Sequence, residues 1–326
     1  MAYDEADLSR LRTVPVAGRR NKVDRTLLAT PPGTDRSLSA FLESLPDILA
    51  ARDLRAIITG VAAAARGGHG VVLLVGGHVI KVGLGPLINA WLARGVVTHL
   101  ALNGAAAIHD FELAAFGGTS EDVESGLADG SFGMAEETGA EMNAAIAAAA
   151  KAGQGMGEGL ARALTARTTL PGRDASVFLA AHEHGVAVTV HAAIGAEIIH
   201  QHPTADGAAL GATSHRDFRR LAGSLPALDQ GGAVLNWGSA VLLPEVFLKA
   251  LTIARNLHAG RPTHFLAADF DMQRHYRPRL NVVQRPTRAG GAGYLITGHH
   301  EVMIPLLVWG VLEEVTGHRS QVSGSG

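Results

Sequence analysis

Val71-Val72-Leu73-Leu74-Val75 is a continuous apolar run, closed by Gly76-Gly77 and followed from Val79 to Ala93 by a helix-like segment. Five apolar residues without polar alternation, stopped by glycines, predict a short strand buried on both faces. Working outward, the same reading applies to Val96–Leu102, which ends in Asn103-Gly104, and to Val186–Val190, Gly232–Asn236 and Thr263–Ala268. Each is followed within a few residues by a helical or turn segment. Apolar strands separated by helices predict an α/β fold: a doubly wound, mostly parallel sheet with helices on both faces, Rossmann-like. Ligands of such sheets bind outside the carboxyl ends of the strands. The turns rich in glycine, histidine and acid fall at those ends.

The flanking sequence sets the domain organisation. Arg10, Arg12, Arg19, Arg20, Lys22 and Arg25 precede Thr30-Pro31-Pro32-Gly33-Thr34 without a sustained apolar period, which predicts an extended arm over residues 1–36. Ser37 to Arg66 turns helical, with Phe41, Leu42, Leu45, Ile48 and Leu49 at three- and four-residue intervals. One domain is expected over 37–320, and a flexible tail over 321–326. Between Thr119 and Arg167 the chain reads as a long helical region, with Thr119 as N-cap and Asp122 three residues on.

Composition narrows the function classes. The 326 residues are 47% hydrophobic and 18% charged, enough for a large core. With 28 basic and 30 acidic side chains the net charge is −2, so neither nucleic acid nor a membrane surface is an expected partner. Cysteine is absent, which excludes disulfides, thiolate metal sites and a cysteine nucleophile. No apolar run is long enough for a membrane span, and the acidic start Met1-Ala2-Tyr3-Asp4-Glu5 lacks a signal-peptide core, so a cytoplasmic location is expected. Low charge suggests much surface buried between subunits. The 16 histidines favour chemistry near neutral pH.

Four motifs carry candidate chemistry. Gly76-Gly77-His78, with Gly83 and Gly85, sits at a strand-to-helix junction, where glycines let a backbone approach a phosphate; ordinary turn glycines are the alternative. His109, Asp110 and Glu112 could serve a metal, a ribose hydroxyl or a proton relay. On a helix His109 and Glu112 share a face while Asp110 points elsewhere. His182-Glu183-His184, His191, Glu197, His200 and His202 form the best metal-like constellation, with Glu197 alternatively a buried functional carboxylate. His299-His300-Glu301 opens the last long helix, facing a ligand or a subunit interface.

Taken in order, these motifs resemble the deoxyhypusine synthase family across roughly residues 55 to 317. The resemblance rests on Gly77-His78-Val79-Ile80-Lys81-Val82-Gly83, on Asn103 through Asp110, on Gly195-Ala196-Glu197-Ile198-Ile199, on Phe270-Asp271, and on Glu301-Val302-Met303-Ile304-Pro305-Leu306-Leu307. It implies a Rossmann-like core, a homotetramer, NAD as cofactor and a polyamine or other small cationic amine as substrate. It further implies that Gly76, Gly77, His78, Asn103, Gly104, Trp237, Gly238, His299 and His300 hold NAD, that Asp110 contacts its ribose, and that Glu197 and Asp271 bind the amine. Trp237 stands where the family has glycine, and its bulk would narrow the nicotinamide pocket.

The chain departs from the family where the intermediate is stored. Val282-Val283-Gln284-Arg285-Pro286-Thr287 replaces the lysine motif, and arginine cannot form an imine. The catalytic histidine run falls near Leu243, and Met272-Gln273-Arg274-His275-Tyr276 replaces a glycine- and serine-rich loop. Lys81, one of only four lysines, is the one in a ligand-facing turn; it is read as a phosphate contact or a relocated imine-forming amine. Lys81, His109 and Glu197 are accordingly the candidate catalytic residues, with no metal assigned. The expected activity is NAD-dependent amine oxidation with aminoalkyl transfer. The alternatives are a non-catalytic tetrameric homologue binding NAD or amine, and a His/carboxylate metal hydrolase.

Overall fold

The structure is a computed structural model that describes residues 3–322. It divides into a unit ending at Arg52 and a second beginning at Asp53. The arm expected over 1–36 lies within the first unit. Its exposed single turns, Leu8–Arg10, Val16–Gly18 and Arg25–Leu27, precede α1 (Leu38–Ser44), which Ser37 caps through Ala40 N. The expected helical stretch from Ser37 to Arg66 is interrupted around Pro46 and resumes as α2 (Leu49–Arg66), which runs into the second unit. The tail expected over 321–326 lies, from residue 323, outside the described residues.

The second unit is built on a six-stranded, all-parallel sheet: β1 (Val71–Val75), β2 (His99–Asn103), β3 (Ala187–His191), β4 (Ala233–Trp237), β5 (Leu266–Asp271) and β6 (Ala292–Thr297). Their order is β3-β2-β1-β4-β5-β6, with Val71 opposite Ala233 and Val75 opposite Trp237. This is the doubly wound Rossmann order, whose switch point falls between β1 and β4. β2 begins later than expected because Val96 and Val97 are buried in the turn before it, where Thr98 Oγ1 accepts Val71 N–H at 2.9 Å. On one face Val72, Leu74, Val234 and Ala267 pack with Phe247, Leu251, Leu221 and Leu225. On the other, Trp91 lies against Trp237 at 5.3 Å between ring centroids and donates its indole N–H to Val308 O.

The helix expected from Val79 to Ala93 is two: α3 (Gly77–Lys81) and α4 (Gly85–Ala93). Gly83 turns left-handed between them at φ +85°, and Pro86 opens the second. α5 (Gly104–Phe116) follows β2 directly, capped by Asn103 Oδ1 on Ala106 N–H and ended by left-handed Gly117. The long helical region after it is α6 (Val123–Asp129), α7 (Glu136–Lys151) and α8 (Met156–Thr165). Asp122, not Thr119, caps α6 through the N–H groups of Glu124 and Ser125. α9 (Val177–Glu183), α10 (Gly207–Ser224) and α11 (Leu242–Leu257) flank the strands; α12 (Arg285–Thr287) continues a π-helical turn, and α13 (His300–Val322) closes the chain.

Candidate functional site

The helix N-terminus that follows β2 forms the floor of a cavity of about 240 Å³, lined by Lys81 from α3, Ala105, Ile108, His109 and Glu112 from α5, Glu121, and Glu197 with its neighbours from the turn after β3. It lies over the carboxyl ends of β1, β2 and β3, and it brings together the three candidate catalytic residues Lys81, His109 and Glu197.

Glu197 is seated by a glycine. A Cβ at Gly104 would lie 2.3 Å from Glu197 Cγ and Oε1, so the absent side chain there is the space the carboxyl group occupies. The N-terminus of α5 favours negative charge at that point. Burial raises the Glu197 pKa, against the Ala193 N–H that donates to Oε1 at 2.9 Å. Oε2 is 3.1 Å from His200 Nδ1, but that nitrogen already accepts Gly195 N–H, so it has no proton to offer. Glu197 lines the cavity, and its Oε2 is buried without a hydrogen-bond partner. A leftover acceptor of this kind costs free energy until a donor arrives.

His109 is fixed by a relay. Its Nδ1 lies 2.7 Å from Thr119 Oγ1, which donates to Glu112 Oε2 at 2.5 Å, while Thr138 Oγ1 donates to Glu112 Oε1 at 2.9 Å. Burial, then the nearby charges of Lys81 and His78, lower the His109 pKa and keep the ring neutral. Glu121 accepts Gly133 N–H at 3.0 Å. The shared face of His109 and Glu112 follows from their helical spacing. Thr119 escaped the sequence reading because Gly117, at φ +79°, turns the chain back across α5.

The residues expected to hold NAD lie elsewhere or are otherwise engaged. Asp110 is fully buried, accepting Ser176 Oγ–H at 2.7 Å and the N–H groups of Val177 and Phe178 at the start of α9; it does not line the cavity. Burial pushes its pKa up to about 6 against those bonds. A Cβ on Gly76 would lie 2.2 Å from Gly238 O, so the switch-point crevice is closed backbone to backbone. Gly77 packs on Ala105, and Gly238, at φ +67°, on His300. Asn103 is spent on its cap and Gly104 is covered by Glu197. Trp237 and His300 are buried; His300 Nε2 donates to Phe270 O at 3.2 Å, and its ring is 5.5 Å from His78. Asp271 faces His275 at 3.8 Å, apart from the cavity lining, and exposed His299 faces Glu301. Gly76, Gly77 and Gly104 do not fit a dinucleotide: the space through which a backbone would approach phosphate is filled by Gly238, Ala105 and Glu197.

The metal-like histidines also disperse. His191 is linked through Thr189 Oγ1 to His99, at 3.1 and 3.0 Å, within the sheet. Among the described residues no group of three His, Cys, Asp or Glu side chains is arranged to hold a metal ion.

Fold and cavity together define the class, a Rossmann-like α/β protein with a small acidic cavity beside, not across, its switch point. No family model and no curated protein matches the chain. Solved structures do. Unliganded AgrE is 13% identical with a TM-score of 0.50, covering 82% of this chain and 34% of its own. The ternary complex of AgrE with ornithine and NAD+ gives 13% and 0.49, covering 83% and 34%. A putative deoxyhypusine synthase from Entamoeba histolytica gives 10% and 0.49, covering 85% and 93%. The chain thus spans about a third of the AgrE chain. What is shared at these identities is the fold. Among the described residues no helix is long and apolar enough to cross a membrane.

Proposed function

We propose that the chain binds a small cationic amine in this cavity, its ammonium donating to Glu197 Oε2. One observation carries the reading: a carboxylate on a cavity-lining residue, with one buried oxygen left without a partner. Glu112 and Glu121 add negative charge to the same walls, against the single cation of Lys81. An N–H donor that is also positive supplies both the missing bond and the compensating charge. At about 240 Å³ the cavity is small for a ligand site and suits a short chain of atoms.

The family resemblance would extend this to an NAD-dependent enzyme of the deoxyhypusine synthase type, oxidising the amine and passing on an aminoalkyl group as a tetramer, although the glycines it assigns to NAD at Gly76, Gly77 and Gly104 are closed by protein. The side chains around the cavity support its amine half. NAD rests on the resemblance alone, and no chemical step is derived through it.

Calorimetric titration tests both halves. Spermidine, putrescine or ornithine should bind, and Glu197→Ala should weaken binding at least about tenfold, the worth of one charge-assisted hydrogen bond. Full affinity in that variant refutes the pocket assignment. NAD is titrated alone and again with spermidine. Heat that grows when the amine is present supports the redox reading, and its absence in both experiments leaves an amine-binding protein without that cofactor.

A further inference from the structure

We infer that His109 Nε2 is a base aimed at the amine held by Glu197, and that Thr119 and Glu112 are the positioning residues that keep it one. The inference rests on the amine reading above for its substrate and on the relay for its base.

The argument is a count of protons. Thr119 carries one hydroxyl hydrogen, and the 2.5 Å contact with Glu112 Oε2 uses it, because an ionised carboxylate can only accept. The 2.7 Å contact between Thr119 Oγ1 and His109 Nδ1 must then be filled by the ring's own Nδ1–H. Reversing the hydroxyl would leave two acceptors facing each other at 2.5 Å. Thr138 holds the other oxygen of Glu112, so the carboxylate cannot swing away. A neutral imidazole with its proton on Nδ1 carries its lone pair on Nε2. Among the described residues no hydrogen bond is made to His109 Nε2, and the ring lines the cavity that Glu197 also lines.

The step balances without a co-reactant. One ammonium N–H bond of the amine breaks, its electron pair stays on the nitrogen, and the proton forms a new bond to His109 Nε2. The products are a free amine, with its lone pair exposed, and an imidazolium. That cation is stabilised through Nδ1–H and Thr119 by the negative charge of Glu112. Burial and the adjacent Lys81 and His78 oppose it, so the ring waits unprotonated and returns the proton readily.

The tautomer can be read directly. In the ¹⁵N spectrum of the full chain, with His109 assigned by its loss in His109→Gln, the ring should carry its proton on Nδ1 and an unprotonated Nε2 at neutral pH. Thr119→Val should move the proton to Nε2, and Thr119→Ser should restore it, which a merely structural threonine would not do. Saturating putrescine should leave the proton on Nδ1 and shift the Nε2 resonance, because an ammonium N–H then donates to that lone pair. A wild-type proton on Nε2, no response to Thr119→Val, or an Nε2 resonance unmoved by bound putrescine each overturns the inference. A flat calorimetric titration with putrescine and spermidine overturns instead the amine reading, whatever the tautomer.

Discussion

The two halves of the sheet end differently. Beyond β1, β2 and β3 the chain leaves a cavity whose walls hold Lys81, His109 and Glu197. Beyond β4 and β5, Trp237, Phe270 and His300 fill the corresponding space, and Gly238 closes on Gly76. Glycines stand at both places, with opposite uses. At the junction Gly76 admits a backbone carbonyl, and the result is a seal. At the start of α5 Gly104 admits a carboxyl side chain, and the result is a seat for Glu197. A glycine at a strand end therefore says that something comes close, and only the neighbour says whether it is a ligand's space or the protein's own.

That contrast can be broken by adding one methyl group on each side. Gly76→Ala would thrust Cβ to 2.2 Å from the Gly238 carbonyl, which belongs to packed backbone and has nowhere to go. A loss of about 3 kcal/mol or more is expected in urea unfolding, at the upper end of overpacking effects. A stability within 0.5 kcal/mol of wild type, to use roughly the scatter of surface substitutions, would mean the seal is not as tight as described.

Buried groups answer acid in opposite directions, and the second test applies there. His99 and His191 on β2 and β3 are held neutral by burial, with pKa values lowered to about 4 and about 3. Their ordinary value is 6.5, so the unfolded chain takes up their protons first, and stability falls as pH drops from 6.5 towards 4. Asp269 on β5 has the opposite sign: burial pushes it up to about 7, so the folded state takes the proton first and gains stability as pH falls through 7. Asp110 and Asp217, both near 6, share that sign. Replacing His99 with Gln isolates the histidine contribution. The variant should lose about 1 kcal/mol at pH 7.5 from its bond to Thr189, yet gain on wild type by up to about 3 kcal/mol by pH 4. A difference between the two proteins that stays constant from pH 7.5 to 4 would show that His99 titrates normally.

Gly104→Ala gives the smallest effect on stability and sharpens the comparison most. The added Cβ meets the end of a side chain, which can rotate away, so unfolding should change by about 1 kcal/mol. Amine affinity should nevertheless fall at least about tenfold, because Glu197 leaves its seat. Equal losses of stability and affinity from both glycine variants would erase the distinction between seal and seat.

Much of this was legible in the sequence, for definite reasons. Apolar runs mark β1 to β5, those of β1, β2 and β4 closed by glycine within two residues, because strands covered on both faces leave no room for polar alternation. β6 was not legible: Gly293 dilutes its apolar content, Gly290 and Gly291 just before it read as a turn, and as an edge strand it is only partly covered. The site was half legible. Glu197 and His109 come together in one cavity, whereas Asp110, one residue on, is turned about 100° around α5 and used to cap α9. Thr119 reads as a helix start in sequence; only the backbone reversal at Gly117 brings it to His109. Linear spacing gives the face of one helix and is silent about the loop that folds over it.

The seam between the halves carries its own optical signature. Of the chain's three tryptophans, Trp91 and Trp237 lie 5.3 Å apart with their planes inclined by 49°, while Trp309 is exposed on α13. Two indoles that close and that oblique share their electronic excitation, so the pair acts as one chiral chromophore whose circular dichroism depends on Trp237 keeping its place beside the sealed junction. Trp309 glows independently at the surface. Light absorbed by the unlabelled protein thus reports whether the seam is shut.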